Sequence, residues 1–213
     1  MTMIRVENLS KQFATKKLFS DLSFSIHKGE VVALVGPSGC GKSTLLNMVG
    51  LLEPIEEGVI KIDGQSLPTV NSRKAVYYRR HRINYLFQSN ALIQTASVWD
   101  NLILALRFDK HSQPTKRQKI EEALAFVYLK DKLEAKVNTL SGGEQERVAI
   151  ARAILKPGDI LLADEPTGAL DPKLAQESFE RIVALRDNYG KTLLLVTHNI
   201  EQAKQCDRII YLG

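Results

Sequence analysis

The segment that most restricts how this chain can fold runs from Gly36 to Ser43. It matches the phosphate-loop pattern G-x-x-x-x-G-K-[ST] at every fixed position. An apolar run at 31–35 precedes it and a helix-forming run at 44–49 follows it, so the pattern predicts a buried strand, a glycine-rich turn and a helix. Backbone N–H groups and the positive end of a helix bind phosphate at such a turn. The chain is therefore predicted to bind a nucleoside triphosphate, with Lys42 at the β- and γ-phosphates and Ser43 on Mg²⁺.

The composition indicates one globular unit. The chain has 213 residues, of which 44% are hydrophobic and 25% charged, which is enough to bury a full core. Its apolar runs are far shorter than the roughly 18 residues of a membrane helix. The first residues enter an alternating, charged pattern without an apolar signal segment, so we expect a cytosolic protein. Two cysteines, Cys40 and Cys206, are too few for a disulfide framework.

A basic segment at 73–82 contains two tyrosines, Tyr77 and Tyr78. Such a segment could contact nucleic acid or lipid headgroups. It could equally be the solvated face of a helix near a phosphate site. A net charge of only +5 favours the second interpretation, and we expect no nucleic-acid partner.

Hydrophobic periodicity predicts an α/β fold. Strands are expected near residues 3–7, 22–26, 31–35, 59–62, 83–87, 159–163, 192–196 and 208–212. Helices are expected at 115–129, at 145–155 and from Pro172 to Arg186. Residues 88–156 show helical spacing with almost no strand pattern. We therefore expect a nucleotide-binding core at 1–87 and 157–213, interrupted by a helical insertion at 88–156.

Two acidic residues, Asp164 and Glu165, end the apolar run that begins at Ile160. Apolar runs that end in Asp-Glu also occur at ordinary strand ends. About 120 residues beyond a complete phosphate loop, however, the pair indicates a magnesium site. Asp164 is expected to orient Mg²⁺, and Glu165 to polarise the attacking water.

The segment from Ser141 to Glu144, Ser-Gly-Gly-Glu, opens the helix expected at 145–155. Ser-x-x-Glu is also a capping box, which satisfies free N–H groups and implies no function. Two glycines cost about 1 kcal/mol each relative to alanine in a helix, so a purely structural cap would not favour them. Their use is close backbone approach to an anion at a helix N-terminus. The two interpretations are compatible.

Two polar residues, Gln88 and His198, each follow an apolar strand-like run. The carboxyl ends of parallel strands face the ligand in open α/β sheets. A single histidine in such a position is more often a packed or surface residue. The other motifs favour a functional interpretation here.

These motifs together closely resemble the nucleotide-binding subunits of ABC transporters over essentially the whole chain. The resemblance implies an ATPase with a P-loop core, an antiparallel β subdomain and an inserted α-helical subdomain. It makes Gln88 the Q-loop glutamine, Ser141–Glu144 the signature, and Asp164 and Glu165 the Walker B pair. It also makes Asp171 the D-loop acid, His198 the switch histidine and Phe13 the aromatic residue on adenine.

The motifs and the resemblance give the following sites. Catalysis is assigned to Lys42, Gln88, Glu165 and His198, and Mg²⁺ binding to Ser43, Gln88 and Asp164. Binding of ATP is assigned to Phe13, Gly36, Pro37, Ser38, Gly39, Cys40, Gly41, Lys42, Ser43, Thr44, Ser141, Gly142, Gly143, Glu144 and Asp171.

The resemblance also implies partners. Two copies would pack head to tail around two ATP molecules, and a membrane permease would dock near 88–106, so that the chain lies on the inner face of the membrane. The apolar residues Ala91, Leu92, Ile93, Val98 and Trp99 would form that docking surface, unless they are core.

Shorter matches resemble the macrolide-exporter and lipoprotein-releasing clade, and most narrowly lactococcin-type bacteriocin-export ATPases. They imply export of a peptide, lipoprotein or drug-like substrate. Two alternatives stay open. One is a non-transport ATPase that regulates envelope or cell-division machinery. The other is a module that binds nucleotide and scarcely hydrolyses it, although the presence of Glu165, Gln88 and His198 argues against that.

Overall fold

The computed structural model describes residues 1–13 and 16–213. Its strands are β1 (Thr2–Phe13), β2 (Lys16–His27), β3 (Val31–Val35), β4 (Glu57–Ile62), β5 (Gln65–Ser66), β6 (Ile83–Leu86), β7 (Ile160–Asp164), β8 (Thr192–Val196) and β9 (Arg208–Tyr211). Its α-helices are α1 (Lys42–Val49), α2 (Arg73–His81), α3 (Val98–Ile103), α4 (Gln113–Phe126), α5 (Gly142–Leu155), α6 (Pro172–Tyr189) and α7 (Ile200–Ala203). Short 3₁₀ turns occupy Leu104–Leu106, Lys130–Lys132 and Val137–Thr139.

A five-stranded parallel sheet with the order β6-β7-β8-β3-β9 forms the centre of the fold. Strands β3 and β8 are fully buried, because every residue in them is apolar or is a threonine that fits the interior. The sequence placed both strands at their observed boundaries. The carboxyl ends of β3, β6, β7 and β8 lie at one edge of this sheet, which is where the predicted site residues follow.

A four-stranded antiparallel sheet with the order β2-β1-β4-β5 forms the second layer. Strands β1 and β2 are each 12 residues long and are much longer than the predicted 3–7 and 22–26. The pairing of β1 with β2 contains several register shifts. Such shifts interrupt the two-residue alternation of buried and exposed side chains, so the sequence pattern did not predict the full length of the strands. The two-residue β5 was not predicted. The α/β fold with an antiparallel subdomain is confirmed.

Between β6 and β7 the described chain is helical, as expected for an α-helical subdomain. Helix α4 begins at Gln113 and ends at Phe126, two residues earlier than the predicted start and three before the predicted end. Its side chains Ile120, Ala123 and Leu124 pack into a cluster shared with α3, α5 and one face of the parallel sheet. The subdomain boundaries at 88 and 156 stay a prediction. Within residues 1–13 and 16–213, no helix has the length and apolar character needed to cross a membrane.

Candidate nucleotide-binding site

The phosphate loop, residues 36–41, connects the buried strand β3 to helix α1. Two of its glycines are required by geometry. A Cβ on Gly36 would overlap with the carbonyl oxygen of Leu212, and Gly41 has a left-handed φ of 101°. The N-terminus of α1 has no side-chain cap and no acidic residue in its first turn. Its free N–H groups and its dipole are thus left available to an anion.

The side chain of Lys42 is buried under this loop. Its Nζ donates to the carbonyl oxygens of Gly36 at 2.8 Å and Pro37 at 2.9 Å. An ammonium group has three donors, so these two bonds leave one for a phosphate oxygen. The positive charge therefore lies inside the loop that would hold the phosphates.

Ser43 on α1 and Asp164 at the end of β7 meet across the site. The Ser43 hydroxyl donates to Oδ1 of Asp164 at 2.9 Å, although 121 residues separate them. Burial raises the pKa of the Asp164 carboxyl, and the Ser43 hydrogen bond opposes this rise. The hydroxyl and the carboxylate that the two motifs assign to Mg²⁺ therefore lie within hydrogen-bond distance of each other.

Glu165 and His198 form the second pair of the site. Oε1 of Glu165 lies 2.6 Å from Nε2 of His198, which follows the end of β8. Glu165 has a positive φ of 45°, a conformation that is strained for a residue with a side chain. Its N–H donates to the carbonyl oxygen of Val196, so neighbouring strand β8 holds this turn. Strain of this kind is commonly found where a side chain must point in a fixed direction.

The signature segment forms a complete capping box at the start of α5. The Glu144 carboxylate accepts the Ser141 N–H at 2.8 Å, and the Ser141 hydroxyl accepts the Glu144 N–H at 3.3 Å. The bonds that the Ser141 N–H and hydroxyl donate to the Glu144 carboxylate lower the pKa of Glu144. The described residues do not require the glycines, because a Cβ on Gly142 would meet nothing within 4 Å, and one on Gly143 would meet Leu174 at 3.4 Å and Arg147 at 3.8 Å, both ordinary contact distances.

Three further predicted site residues, Gln88, Phe13 and Asp171, have the following surroundings. Gln88 is exposed just beyond β6, and Phe13 ends β1 with its ring 49% exposed and Nζ of Lys11 4.8 Å from the ring centroid. Asp171 is the N-cap of α6 and accepts the N–H of Leu174 at 3.2 Å. The structure thus brings Lys42, Ser43, Asp164, Glu165 and His198 to one edge.

Two residues with a possible role at the site, Lys16 and Arg152, were not predicted from the sequence. A Cβ on Gly39 would lie 3.3 Å from Nζ of Lys16, which places that amino group over the phosphate loop. Arg152 of α5 donates to the carbonyl oxygens of Asn90 at 2.6 Å and Ala91 at 2.5 Å and thereby anchors the segment after Gln88. The only sequence signal for Arg152 was its position among the apolar residues of a helix.

The proposed docking stretch divides into two sets. Leu92 is only 9% exposed and Val98 is fully buried, and both belong to the core of the helical region. For these two residues the docking interpretation was wrong, because their side chains pack inward. Ile93 is 50% exposed and Ala91 is also exposed. Trp99 is partly buried against the core, with the guanidinium of Arg117 over its ring.

The basic segment is helix α2 and the residue after it. Arg79 donates to the carbonyl oxygens of Leu51 and Val70, and Arg82 pairs with Asp63. Several of its charges therefore serve packing, as the solvated-helix interpretation allows.

Comparison with known proteins gives a consistent result. The profile of the family described as ABC transporter matches residues 19–168. The methionine import ATP-binding protein MetN of Legionella pneumophila is 40% identical over 97% of this chain, which spans 61% of the MetN chain. The lipoprotein-releasing system ATP-binding protein LolD of Bacteroides thetaiotaomicron is 34% identical over 99% of this chain and 96% of its own.

Solved structures show the same likeness. The dimeric structure of MJ0796, a bacterial ABC transporter cassette, superposes with a TM-score of 0.88 at 36% identity and covers 99% of this chain and 94% of its own. A dimeric post-hydrolysis state of the same cassette, bound to ADP and Pi, also has a TM-score of 0.88, at 35% identity over 99% of this chain and 94% of its own.

Proposed function

This chain belongs to the ABC transporter family as an ATP-hydrolysing cassette, and we propose that it drives a separate membrane permease as a head-to-tail pair of copies. One observation carries the proposal. The phosphate loop, the Ser43–Asp164 bond and the Glu165–His198 pair lie together at one sheet edge. Family membership supports ATP binding and hydrolysis coupled to transport.

The side chains divide the work of hydrolysis. Lys42 uses its remaining donor on the β- and γ-phosphates, and the open start of α1 binds phosphate oxygens through N–H groups. Glu165 polarises the attacking water, and His198 holds the Glu165 carboxylate in position through their contact. Phe13 stacks on the adenine ring, and its 49% exposure supports this role.

Mg²⁺ fits the donors that are present. The Ser43 hydroxyl, the Asp164 carboxylate and the Gln88 amide supply hard oxygen ligands. Among residues 1–13 and 16–213 no group of three or more His, Cys, Asp or Glu could hold a metal ion by itself. When bound, Mg²⁺ neutralises charge on the β- and γ-phosphates. Ser43 and Asp164 would then bind the ion rather than each other.

The second copy would complete each site. In the pair, Ser141 and Gly143 of one copy face the γ-phosphate held by the phosphate loop of the other, and Asp171 lies at the same boundary. The glycines at 142 and 143 support this arrangement, because no contact with residues 1–13 or 16–213 of the same chain requires their small size. The dimeric structures of the related cassette support it as well.

Export is the direction of transport that we propose, with a peptide, lipoprotein or drug-like substrate. LolD matches along nearly its full length, whereas the MetN relatives extend well beyond the matched region. The permease would contact the exposed residues Ala91 and Ile93 beyond Gln88 and hold the pair at the cytoplasmic face of the membrane.

A mixing experiment tests the pair. Lys42→Ala removes the phosphate-binding charge, and Ser141→Arg blocks the signature, so each variant alone should be inactive. In a head-to-tail heterodimer one site then has both parts intact, and an equal mixture should recover about a quarter of wild-type ATP turnover. A mixture as inactive as its components would contradict the trans arrangement. Mixing either variant with itself is the control.

Docking is tested separately. Ile93→Glu should abolish co-purification with the permease, because it puts an unpaired charge into the contact, while ATP turnover of the isolated chain persists. Val59→Glu changes an exposed apolar residue on the antiparallel sheet and is the matched control. Equal co-purification of both variants would move the docking surface elsewhere.

A further inference from the structure

The end of the hairpin formed by β1 and β2 lies beside the phosphate loop. Phe13 and Lys16 are the last pair of residues whose Cα atoms face each other across these two strands. Directly opposite residues of an antiparallel pair project their side chains to the same face of the sheet. The aromatic ring that we assign to the base and the ammonium group of Lys16 therefore lie on one face of the hairpin.

The ammonium group of Lys16 reaches the middle of the phosphate loop. A Cβ built on Gly39 would lie only 3.3 Å from Nζ of Lys16. Gly39 has a left-handed φ of 74°, so the glycine permits this backbone turn and also leaves room for the amino group. Lys42 is buried under the same loop, whereas Lys16 is exposed to solvent. Two ammonium groups thus lie at one turn that is built to bind an anion.

The charge of Lys16 is not neutralised by the described part of the chain. Among residues 1–13 and 16–213 no carboxylate forms an ion pair with it within 4 Å. Lys11 on the same hairpin differs, because its Nζ lies 2.9 Å from a carboxylate oxygen of Glu53 and 2.5 Å from one of Glu56. An unpaired cation beside free N–H groups favours a negatively charged ligand at this end of the hairpin.

We propose that Lys16 binds the α- and β-phosphates of the nucleotide, while Phe13 on the same face stacks on the base. The inference deepens the proposed function, on which it rests, by adding a phosphate-binding residue from outside the phosphate loop. The α- and β-phosphates are the ones nearest the base, and Phe13 and Lys16 end the same hairpin. Lys42 approaches the phosphates from the buried side and Lys16 from the solvent side, each through a charge-assisted hydrogen bond.

Equilibrium titration of the isolated chain without Mg²⁺, so that no hydrolysis occurs, tests the contact. Lys16→Gln removes the charge and should weaken binding of ADP and of ATP about tenfold each, as expected for one hydrogen bond to a charged group. Lys16→Arg should restore most of the affinity. Lys17→Gln is the matched control, because it removes the same charge from the next exposed residue, which the alternation of a strand directs to the opposite face.

Inorganic triphosphate, which has no base, separates a phosphate contact from support of the aromatic ring. In competition against ATP, Lys16→Gln should weaken binding of inorganic triphosphate, and Phe13→Ala should leave it unchanged. A loss for ADP and ATP that spares inorganic triphosphate would mean that Lys16 only supports Phe13, and it would overturn the phosphate contact.

Three further results would overturn the inference. The first is wild-type affinity in Lys16→Gln, and the second is an equal loss in Lys17→Gln, which would be an effect of overall charge. The third is a loss confined to ATP, which would place Lys16 at the γ-phosphate. Failure of the proposed function looks different. Phe13→Ala would bind ATP like wild type, or the mixed Lys42→Ala and Ser141→Arg variants would stay inactive, while Lys16→Gln still weakened ADP, ATP and inorganic triphosphate.

Discussion

The starts of helices α1 and α5 are both predicted to bind phosphate, yet they are built in opposite ways. The start of α1 has no side-chain cap and no acid, so its N–H groups stay available. The start of α5 is capped by its own Ser141 and Glu144, and the Glu144 carboxylate occupies the anion position of the helix. The first start can bind a ligand within one chain. The start of α5 already has hydrogen-bond partners within the chain, so another molecule must displace these bonds before it can bind there.

This difference indicates which step needs a second copy. Binding of nucleotide should depend on the α1 side alone, and turnover on both sides. Variants at the two starts should therefore have separable effects on affinity and on rate.

The largest expected effect is on the α1 side. Glu165→Gln should lower ATP turnover about 10²–10⁴-fold, because the amide keeps the shape and loses the charge that polarises water. Nucleotide affinity should stay near wild type, and the variant should accumulate as an ATP-bound dimer on a sizing column. Glu177→Gln, on the surface of α6, is the control. Steady-state hydrolysis near the wild-type rate would contradict the assignment of Glu165 as the residue that polarises the attacking water.

On the α5 side, Glu146 should make stability depend on pH. Its side chain is 2% exposed and lies near the Ser178 hydroxyl and the guanidinium groups of Arg147 and Arg181, all of which oppose a rise in its pKa. Burial raises its pKa to about 7 from 4.5. The folded state therefore holds the proton more tightly than the unfolded state. The stability that this difference in proton binding contributes is fully present below pH 4.5 and is lost as pH rises through 7. The change in the free energy of unfolding is about 3 kcal/mol.

Glu146→Gln should remove that dependence. Urea unfolding at pH 5 and pH 8 would show a smaller difference in the free energy of unfolding for the variant than for wild type. Glu121→Gln, an exposed change on α4, should leave the difference as it is in wild type. Equal differences for wild type and Glu146→Gln would show that this carboxylate pairs in the folded chain.

Phe13→Ala should weaken nucleotide binding by roughly 1–3 kcal/mol, the range for stacking of a base on an aromatic ring. Turnover at saturating ATP should change much less, because the ring lies away from the reacting phosphate. Stacking tolerates any base, so GTP should also bind. A binding titration checks this, with Tyr128→Ala at a remote exposed position as control. Unchanged affinity would remove Phe13 from the site.

The smallest expected effect is at Gly142, and it tests the difference between the two helix starts most directly. Gly142→Ala should raise the free energy of unfolding by up to about 1 kcal/mol, because alanine suits a helix better and its Cβ meets nothing here. ATP turnover should nevertheless fall, since a partner would use the space that glycine leaves. Thermal melts and ATPase assays together decide it. A variant that is both more stable and fully active would leave this glycine without a function in the pair.

Much of this site was predictable because it follows strand ends. Runs of mostly apolar residues predicted β3 and β8, and the residues after β7 and β8 then had to meet at one edge, as Glu165 and His198 do. The capping box was predictable because its partners are three residues apart.

Other features depended on tertiary contacts that no local pattern contains. The inward packing of Leu92, the position of Lys16 over the phosphate loop and the bonds from Arg152 join parts of the chain that are distant in sequence.

Helix α5 has one further consequence. It begins at the capped signature and, about 15 Å along its axis, holds the backbone after Gln88 through Arg152. Its last turn lines the cavity between helix α2 and the segment 104–111. One rigid rod thus joins the surface that a second copy would touch to the surface that a permease would touch. A tilt of about 10° at the first end would displace the far end, some 21 Å away, by about 4 Å. A displacement of this size would move a docked segment of the permease.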